Sequence, residues 1–138
     1  MRMYENLTRL VDALETDNIG DWVFDEKSKG TIEDPIQMPY VSYSDAIKDL
    51  VKEIYDFSKN HPEYNMNKYR NILVERGLDW KSAGMKSADI ATADGQLIMT
   101  LLYSVTRMDR FCEGALLGFC KEGFVVKWLK RLKEIDEE

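Results

Sequence analysis

Apolar residues recur every three or four positions along most of this chain, which is the spacing of one face of an α-helix. The amphipathic N-terminal segment shows this spacing in four residues, Leu7, Leu10, Val11 and Leu14. Because the spacing returns several times, the sequence predicts a mostly helical protein. The predicted helices cover residues 3–16, from Ser42 or Ser44 to Asn60, 66–76, from between Asp89 and Asp94 to about 112, 114–121 and 124–135.

Polar residues and prolines mark where these helices begin and end. Ser42 followed by Asp45 fits a capping box, in which side chains satisfy the free N–H groups of a helix start, and Ser44 is the alternative cap. Asn65 is expected to cap the next helix. Pro62 ends the preceding helix, because the residue before a proline is driven out of the helical conformation.

Segment 21–43 breaks the helical pattern. It contains two of the three prolines together with β-branched and aromatic residues, which favour extended structure. Residues 22–24 and 37–43 are predicted strands, and a turn at Gly30 between them makes a loose hairpin. The expected fold is therefore α+β and mostly α-helical, a bundle of about five or six helices with one small β-hairpin. Residues 78–91 show no period and are expected to form a loop.

Length and composition indicate one globular domain over residues 1–138. No apolar run reaches the roughly 18 residues that a membrane helix needs, and the N-terminal segment lacks the apolar core of a signal peptide, so a cytoplasmic location is expected. The formal charge of −6 comes from residues 1–60, with 7 basic and 13 acidic side chains, whereas residues 61–138 carry 12 of each. An acidic chain without a basic face is not expected to bind nucleic acid directly.

The sequence contains no familiar catalytic or metal-binding motif. Cys112, Cys120 and the lone His61 cannot form a zinc site without carboxylates. The two cysteines lie too far apart along a helix for a disulfide and are read as small buried apolar residues. Asp79, Asp89 and Asp94 carry oxygen ligands, but their spacing matches no calcium loop, and Asp89 is expected to cap a helix. No metal or cofactor is expected.

The most apolar predicted helix ends in charged residues. At about 100° per residue, Tyr103, Arg107 and Arg110 fall on one polar seam, with apolar residues opposite. Asp109 projects toward the apolar side, where a carboxylate needs a partner or contact with solvent. Glu113 follows Arg110 by three positions, which is the spacing at which helical side chains pair.

This charged helix end has two interpretations. Its arginines and carboxylates can form an intramolecular cluster that ties the helix to its neighbours. Alternatively, Arg107 and Arg110, with Tyr103 beside them, hold a small anion, because guanidinium groups match phosphate and carboxylate groups bidentately.

The predicted hairpin offers a second candidate surface. Tyr40 and Tyr43 either present aromatic rings to a partner protein or pack the hairpin on the helices. An irregular exposed strand also allows a homodimer. The acidic residues that would extend this surface are Asp25, Glu26, Glu33 and Asp34.

Three segments of the chain are distinctive: DPIQMPYVSYS near residue 40, RMDRFCEGALLGFC at 107–120 and KEGFVVKWLKRLKEID near the C-terminal end. Together they resemble a family of small bacterial proteins known only as a domain of unknown function. The pattern R-x-x-R-F-C-E-G is the most specific element of this resemblance. The resemblance implies a compact bacterial domain and transfers no activity.

Three functional hypotheses follow. The leading one is a non-enzymatic protein-binding or regulatory module that contacts a protein partner through the acidic and aromatic hairpin region. The second is a small-anion or nucleotide site built on Arg107 and Arg110. The third is a mobile-element inhibitor whose acidic surface occupies the nucleic-acid channel of a host protein.

Overall fold

The fold is mostly helical with one two-stranded antiparallel hairpin, in a computed structural model that describes residues 3–16, 18–24, 29–33, 35 and 39–138. The predicted α+β class is confirmed. In chain order the elements are α1 (Glu5–Thr8), α2 (Val11–Thr16), β1 (Gly20–Val23), β2 (Tyr40–Tyr43), α3 (Asp45–Asn60), α4 (Tyr69–Glu75), α5 (Ser82–Lys86), α6 (Gly95–Phe111), α7 (Ala115–Lys121) and α8 (Phe124–Glu137).

Helix α6 occupies the centre of the core. Every residue from 97 to 102 is buried, and α3, α4, α7 and α8 pack around the helix. The polar seam that the sequence predicts is therefore covered in the first half of α6, where the buried Thr100 hydroxyl donates to the Gln96 carbonyl at 2.7 Å. Only the second half of the seam, from Tyr103 onward, leaves room for a site.

The N-terminal helices close the core against α8 and the start of α6. The Tyr4 backbone N–H donates to Asp136 at 3.0 Å, and the Tyr4 and Tyr64 hydroxyls share a hydrogen bond of 2.6 Å. The Tyr4 hydroxyl lies where a side chain on Gly95 would stand, so glycine at the first position of α6 lets the two segments approach. Among the described helices, none combines the length and the apolar character needed to cross a bilayer.

The hairpin pairs Trp22 with Val41 and Val23 with Tyr40. Because side chains alternate across a strand, the Val41 side and the Tyr40 side face opposite directions. Val41 is 8% exposed and turns toward the helices, whereas Tyr40 is 52% exposed and turns toward solvent. The predicted hairpin is confirmed, and it covers one end of α6.

Of the two caps predicted for α3, the structure has Ser44, whose hydroxyl accepts a hydrogen bond from the Ile47 backbone N–H. The start of α4 differs from the prediction. Asn65 caps no α-helix with its side chain. It adopts a left-handed conformation, with φ of 53°, between short 3₁₀ turns at Pro62–Tyr64 and Met66–Lys68, and α4 begins only at Tyr69.

Two helical stretches also differ in length from the prediction. The amphipathic segment 3–16 is interrupted after Thr8, because the Leu10 N–H turns to the Leu7 carbonyl three residues earlier. The predicted loop 78–91 contains the five-residue helix α5, in which Met85 is fully buried. A helix this short buries too few side chains to produce a visible period in the sequence.

Candidate functional site

Helix α6 ends at Phe111, and the chain turns back at once to begin α7 at Ala115. Gly114 makes this turn with a left-handed backbone, φ 87°, and the Trp22 indole lies where its side chain would stand. Gly114 is therefore a turn residue that lies beyond the end of α6. Gly118, four residues further along the chain in α7, borders open space.

Asp109 joins α6 to the hairpin and to the first turn of α7. Its Oδ1 accepts hydrogen bonds from the Tyr43 hydroxyl at 2.8 Å and from the Leu116 backbone N–H at 3.0 Å. The Tyr43 oxygen in turn accepts one from the Leu117 N–H at 3.1 Å. The first N–H groups of a helix need acceptors, and Gly114 has no side chain to supply one. Asp109 and Tyr43 supply them from elsewhere in the fold.

Tyr43 remains a hydrogen-bond donor over the whole physiological pH range. Burial raises the pKa of its hydroxyl, and the hydrogen bond to Asp109 raises that pKa further. A neutral phenol facing a carboxylate keeps the bond intact without a second charge.

Glu113 contacts the hairpin rather than an arginine. Its Oε1 accepts a hydrogen bond of 2.7 Å from the Val41 backbone N–H of β2. In the part of the chain that the structure describes, no ion pair joins Arg107 or Arg110 to Asp109 or Glu113. The two carboxylates thus tie the helix end to its neighbours through neutral donors, and the predicted Arg110–Glu113 pair is not formed.

Arg107 lies among three tyrosines. The Tyr103 ring packs on Tyr55 and Tyr69, with ring centroids 5.7 and 5.6 Å apart. Burial lowers the pKa of Arg107, but the oxygens of Tyr103 and Tyr55 raise it, and the net pKa is above its usual value. Good hydrogen-bond geometry is lacking, however, because Arg107 Nε and the Tyr55 hydroxyl are both buried without a partner. Arg107 therefore lies close to this aromatic group without a hydrogen bond at its Nε.

A cleft of about 470 Å³ opens beside Arg110, between α3 and the second half of α6. Its apolar lining comes from Ile47, Val51 and Leu116. Lys48 from α3 and Arg110 from α6 line it as well, together with Tyr43, Tyr55, Thr106 and Asp109. The cleft therefore combines an apolar lining with two cationic side chains from facing helices.

The structure separates the residues that the sequence grouped into an anion site. Arg110 lines the cleft, whereas Arg107 and Tyr103 do not. The sequence reading missed Lys48 and Tyr55. Both lie on α3 at helical spacing from Val51, immediately beside the buried stripe of that helix. The spacing on α3 identifies Lys48 and Tyr55 as neighbours of the buried stripe. The sequence of α3 alone does not show that this side of the helix faces Arg110.

The predicted protein-contact surface is only partly described. Tyr40 is exposed and Glu33 is exposed, in agreement with a surface position. Tyr43 is turned inward to Asp109, so it packs the hairpin on the helices and does not belong to that surface. The remaining acidic residues, Asp25, Glu26 and Asp34, lie outside the described residues.

The other polar candidates have local roles. Asp94, not Asp89, caps α6 by accepting from the Leu97 N–H at 2.9 Å, and Asp89 accepts from the Ala91 N–H and the Thr92 hydroxyl. No group of three or more potential ligands among the described residues could hold a metal ion.

The two cysteines differ from each other in exposure. Both are free, Cys120 is buried and Cys112 is exposed, which corrects the expectation that both are buried. Burial raises the pKa of Cys120 to about 12, and the nearby Asp109 carboxylate contributes to the rise.

The structure defines a mostly helical α+β protein with a cleft between α3 and α6 that is large enough for a small molecule. The chain belongs to the family of unknown function DUF6508, whose model matches residues 2–138. This membership confirms the resemblance to a domain of unknown function. Comparison with curated proteins and with solved structures finds no match.

Proposed function

We propose that this chain is a cytoplasmic, single-domain binding protein whose cleft holds a small amphipathic anion, with an apolar tail and a carboxylate or phosphate head. One observation carries the proposal. Lys48 and Arg110 project from facing helices onto an apolar cleft, and neither has an ion-pair partner among the described residues. The two free cysteines suit a reducing compartment.

The size and lining of the cleft favour this class of ligand. A volume of about 470 Å³ lies within the range of small-molecule sites. Ile47, Val51 and Leu116 line the cleft with apolar surface. Each Å² of ligand tail that this surface removes from water contributes about 25 cal/mol to the free energy of binding. The head of the ligand needs a charged partner when its hydration is lost, and an arginine and a lysine provide one.

Asp109 in the same cleft does not cancel the two cations. Its Oδ1 is already engaged by the Tyr43 hydroxyl and the Leu116 N–H. Lys48 and Arg110 carry two positive charges against the one negative charge of Asp109, so the lining of the cleft has a net positive charge. An anion is therefore preferred over a neutral or cationic molecule of the same shape.

Titration with octanoate, read by calorimetry and thermal unfolding, tests the proposal. Octanoate should bind saturably, and a concentration of 100 times Kd should add about 2.7 kcal/mol to the free energy of unfolding. Octanol lacks the charge and acetate lacks the tail, so each should bind at least about tenfold more weakly. No saturable binding of octanoate or octyl phosphate, or equal binding of octanol, would contradict the proposal.

Charge-neutralising variants locate the binding. Lys48→Gln together with Arg110→Gln should weaken octanoate binding at least about tenfold, since the head loses both partners. Lys52→Gln is the matched control, because Lys52 is an exposed lysine on the same helix and does not line the cleft. Equal weakening in the control would indicate a nonspecific charge effect and would remove the assignment to this cleft.

A second candidate function, contact with a protein partner, rests on exposed aromatic residues of the hairpin region. Phe24 is 60% exposed and Tyr40 is 52% exposed, and the Phe24 ring stacks on Trp22, with centroids 6.3 Å apart. The acidic excess of residues 1–60 favours a partner with a basic surface. In the mobile-element inhibitor hypothesis, this partner is a host protein whose nucleic-acid channel is basic. That hypothesis and the homodimer both remain predictions.

A co-purification from native cells distinguishes this second candidate from ligand binding. A specific partner should be lost from Phe24→Ser/Tyr40→Ser and retained by Lys48→Gln/Arg110→Gln, and its binding should weaken with salt. Retention of every partner by the hairpin variant would exclude the hairpin as the contact surface.

A further inference from the structure

A second, smaller pocket lies on the other flank of α6 and has no part in the cleft described above. Its volume is about 230 Å³. Ser104 and Met108 line it from α6, on the side of the helix opposite Thr106 and Asp109, which face the cleft.

Aromatic side chains form much of this pocket and remain open to solvent. Tyr69 of α4, Trp80 and Phe111 line it. Trp80 is 41% exposed and Phe111 is 78% exposed, whereas Tyr69 is half-buried. Exposed large apolar side chains that converge on one pocket mark a binding site more often than isolated ones do.

Arg70 gives the pocket a fixed positive charge at its edge. The guanidinium carbon lies 4.5 Å from the centroid of the Trp80 ring and 5.8 Å from that of Tyr69. Stacking on an aromatic face holds the guanidinium plane and leaves its N–H edge free for a bidentate acceptor. Within the described residues, Arg70 has no carboxylate partner.

Ser104 adds an unpaired hydroxyl at the helix side of the pocket. The residue is 2% exposed, and its Oγ has no hydrogen-bond partner. Met108 follows one turn later on the same flank, and its unbranched side chain is the most adaptable part of the lining. A ligand hydroxyl that reaches Ser104 beside Met108 would give Ser104 the partner that the folded chain does not supply.

We infer that this pocket binds a single-ring aromatic carboxylate with a hydroxyl group on the far side of the ring. The ring would pack between Trp80, Phe111 and Met108, the carboxylate would meet Arg70, and the hydroxyl would meet Ser104. The pocket is smaller than the usual range for drug-sized ligands, which limits the occupant to about one ring.

The probe is 4-hydroxybenzoate, followed through the Trp80 indole N–H signal in a ¹H–¹⁵N NMR titration and assigned with Trp80→Phe. We expect saturable shifts with a Kd of about 1 mM or tighter, which is reasonable for ten non-hydrogen atoms. Cys112 supplies a second readout, because it is exposed and lines the pocket. Saturating probe should slow its alkylation by iodoacetamide at least about threefold, with the buried Cys120 as the unreactive internal control.

Paired ligands and variants test each contact separately. Arg70→Gln should weaken 4-hydroxybenzoate at least about fivefold and leave the neutral 4-hydroxybenzyl alcohol unchanged. Ser104→Ala should reduce 4-hydroxybenzoate to the affinity of benzoate and leave benzoate unchanged. Ser104→Ala is expected to fold normally, because the hydroxyl it removes has no partner.

The aromatic pocket and the cleft are expected to bind their ligands independently of each other. Lys48→Gln/Arg110→Gln should leave the Trp80 titration unchanged, and the Arg70→Gln variant should leave octanoate binding unchanged. The inference is overturned if up to 10 mM 4-hydroxybenzoate produces no saturable shift at Trp80, or if Arg70→Gln binds it as well as the unmodified chain does.

Discussion

Tyr43 and Asp109 are 66 residues apart in the chain, and their side chains share a hydrogen bond of 2.8 Å. The bond holds β2 against α6 at the point where α7 begins. Because both residues also line the cleft, the contact that fixes the hairpin also shapes the candidate binding site. Stability and ligand binding are therefore expected to depend on the same pair.

Removing only the Tyr43 hydroxyl tests how much this pair contributes to stability. Tyr43→Phe should lower the free energy of unfolding by about 1–3 kcal/mol, because Asp109 loses a donor and the Leu117 N–H loses its acceptor. Urea unfolding followed by circular dichroism measures the change. Tyr40→Phe is the control at an exposed position and should stay within about 0.5 kcal/mol of the unmodified chain. Equal losses in the two variants would contradict the structural role of Tyr43.

The raised pKa of Tyr43 predicts a loss of stability in alkali. An unfolded tyrosine releases its proton near pH 10, whereas the folded Tyr43 keeps it because burial and the Asp109 hydrogen bond raise its pKa. Above pH 10 the unfolded state therefore binds fewer protons, and the free energy of unfolding falls as pH rises.

The size of this effect follows from the release of one proton. Between pH 10 and 11 the unmodified chain should lose up to about 1 kcal/mol more than Tyr43→Phe does, because the unfolded tyrosine is already half ionised at pH 10. Tyr4, whose pKa burial also raises, contributes equally in both proteins and cancels in the difference. Parallel pH dependences for the two proteins over this interval would show that the hydroxyl is not protected.

The sequence predicts most of this fold because its helices are long and amphipathic. The stripes on α3, α6 and α8 each extend over more than three turns, and their buried residues follow the expected spacing. Helix α5 and the break before Leu10 escape prediction, because each depends on a single turn of backbone whose conformation is set by packing.

The candidate site is predicted less completely, for a different reason. The charged end of α6 is visible in the sequence, but the partners of those charges come from other elements. Asp109 meets Tyr43 of β2, and Glu113 meets a backbone N–H of the same strand, which no side-chain pattern encodes. Lys48 joins Arg110 only because α3 packs beside α6. Contacts within one helix are readable from spacing, and contacts between elements are not.

Three glycines provide a graded test of the turn that follows α6. Of the three, Gly114→Ala should be the most destabilising, because Gly114 has a positive φ and the Trp22 indole occupies the space of the added carbon. Gly123→Ala meets only the positive φ, 86°, with open space around it, and should cost about 1–2 kcal/mol. Gly118→Ala, in the helical backbone of α7 and facing open space, should stabilise the protein by about 0.5–1 kcal/mol.

The difference between the first two variants isolates the Trp22 contact. Thermal unfolding of the three variants gives the order directly. A combination of Trp22→Ala with Gly114→Ala should bring the cost of the glycine substitution down toward that of Gly123→Ala. If Gly114→Ala costs no more than Gly123→Ala in the unmodified background, the hairpin does not pack on the turn as described.

Asp94 allows the two contributions of one carboxylate to be separated. It caps α6 through the Leu97 N–H and forms an ion pair of 2.9 Å with Arg76. Asp94→Ala loses both and should cost about 0.5–2 kcal/mol at pH 7. Asp94→Asn keeps the cap, since asparagine caps as well as aspartate, and should lose less than about 1 kcal/mol for the exposed ion pair. Urea unfolding of both variants at pH 7 measures these costs, and equal losses would assign the whole effect to the charge.

The acid dependence of the same residue has a defined sign. Burial raises the pKa of Asp94, but the hydrogen bonds from Arg76 and the Leu97 N–H outweigh it, and the net pKa is lowered. A lowered pKa means that the contribution is present above the unfolded value near 3.9 and is lost as pH falls below it. Unfolding measured at pH 7 and pH 3 should therefore show a smaller acid loss for Asp94→Asn than for the unmodified chain. An identical loss would mean that Arg76 does not hold this carboxylate in its charged form.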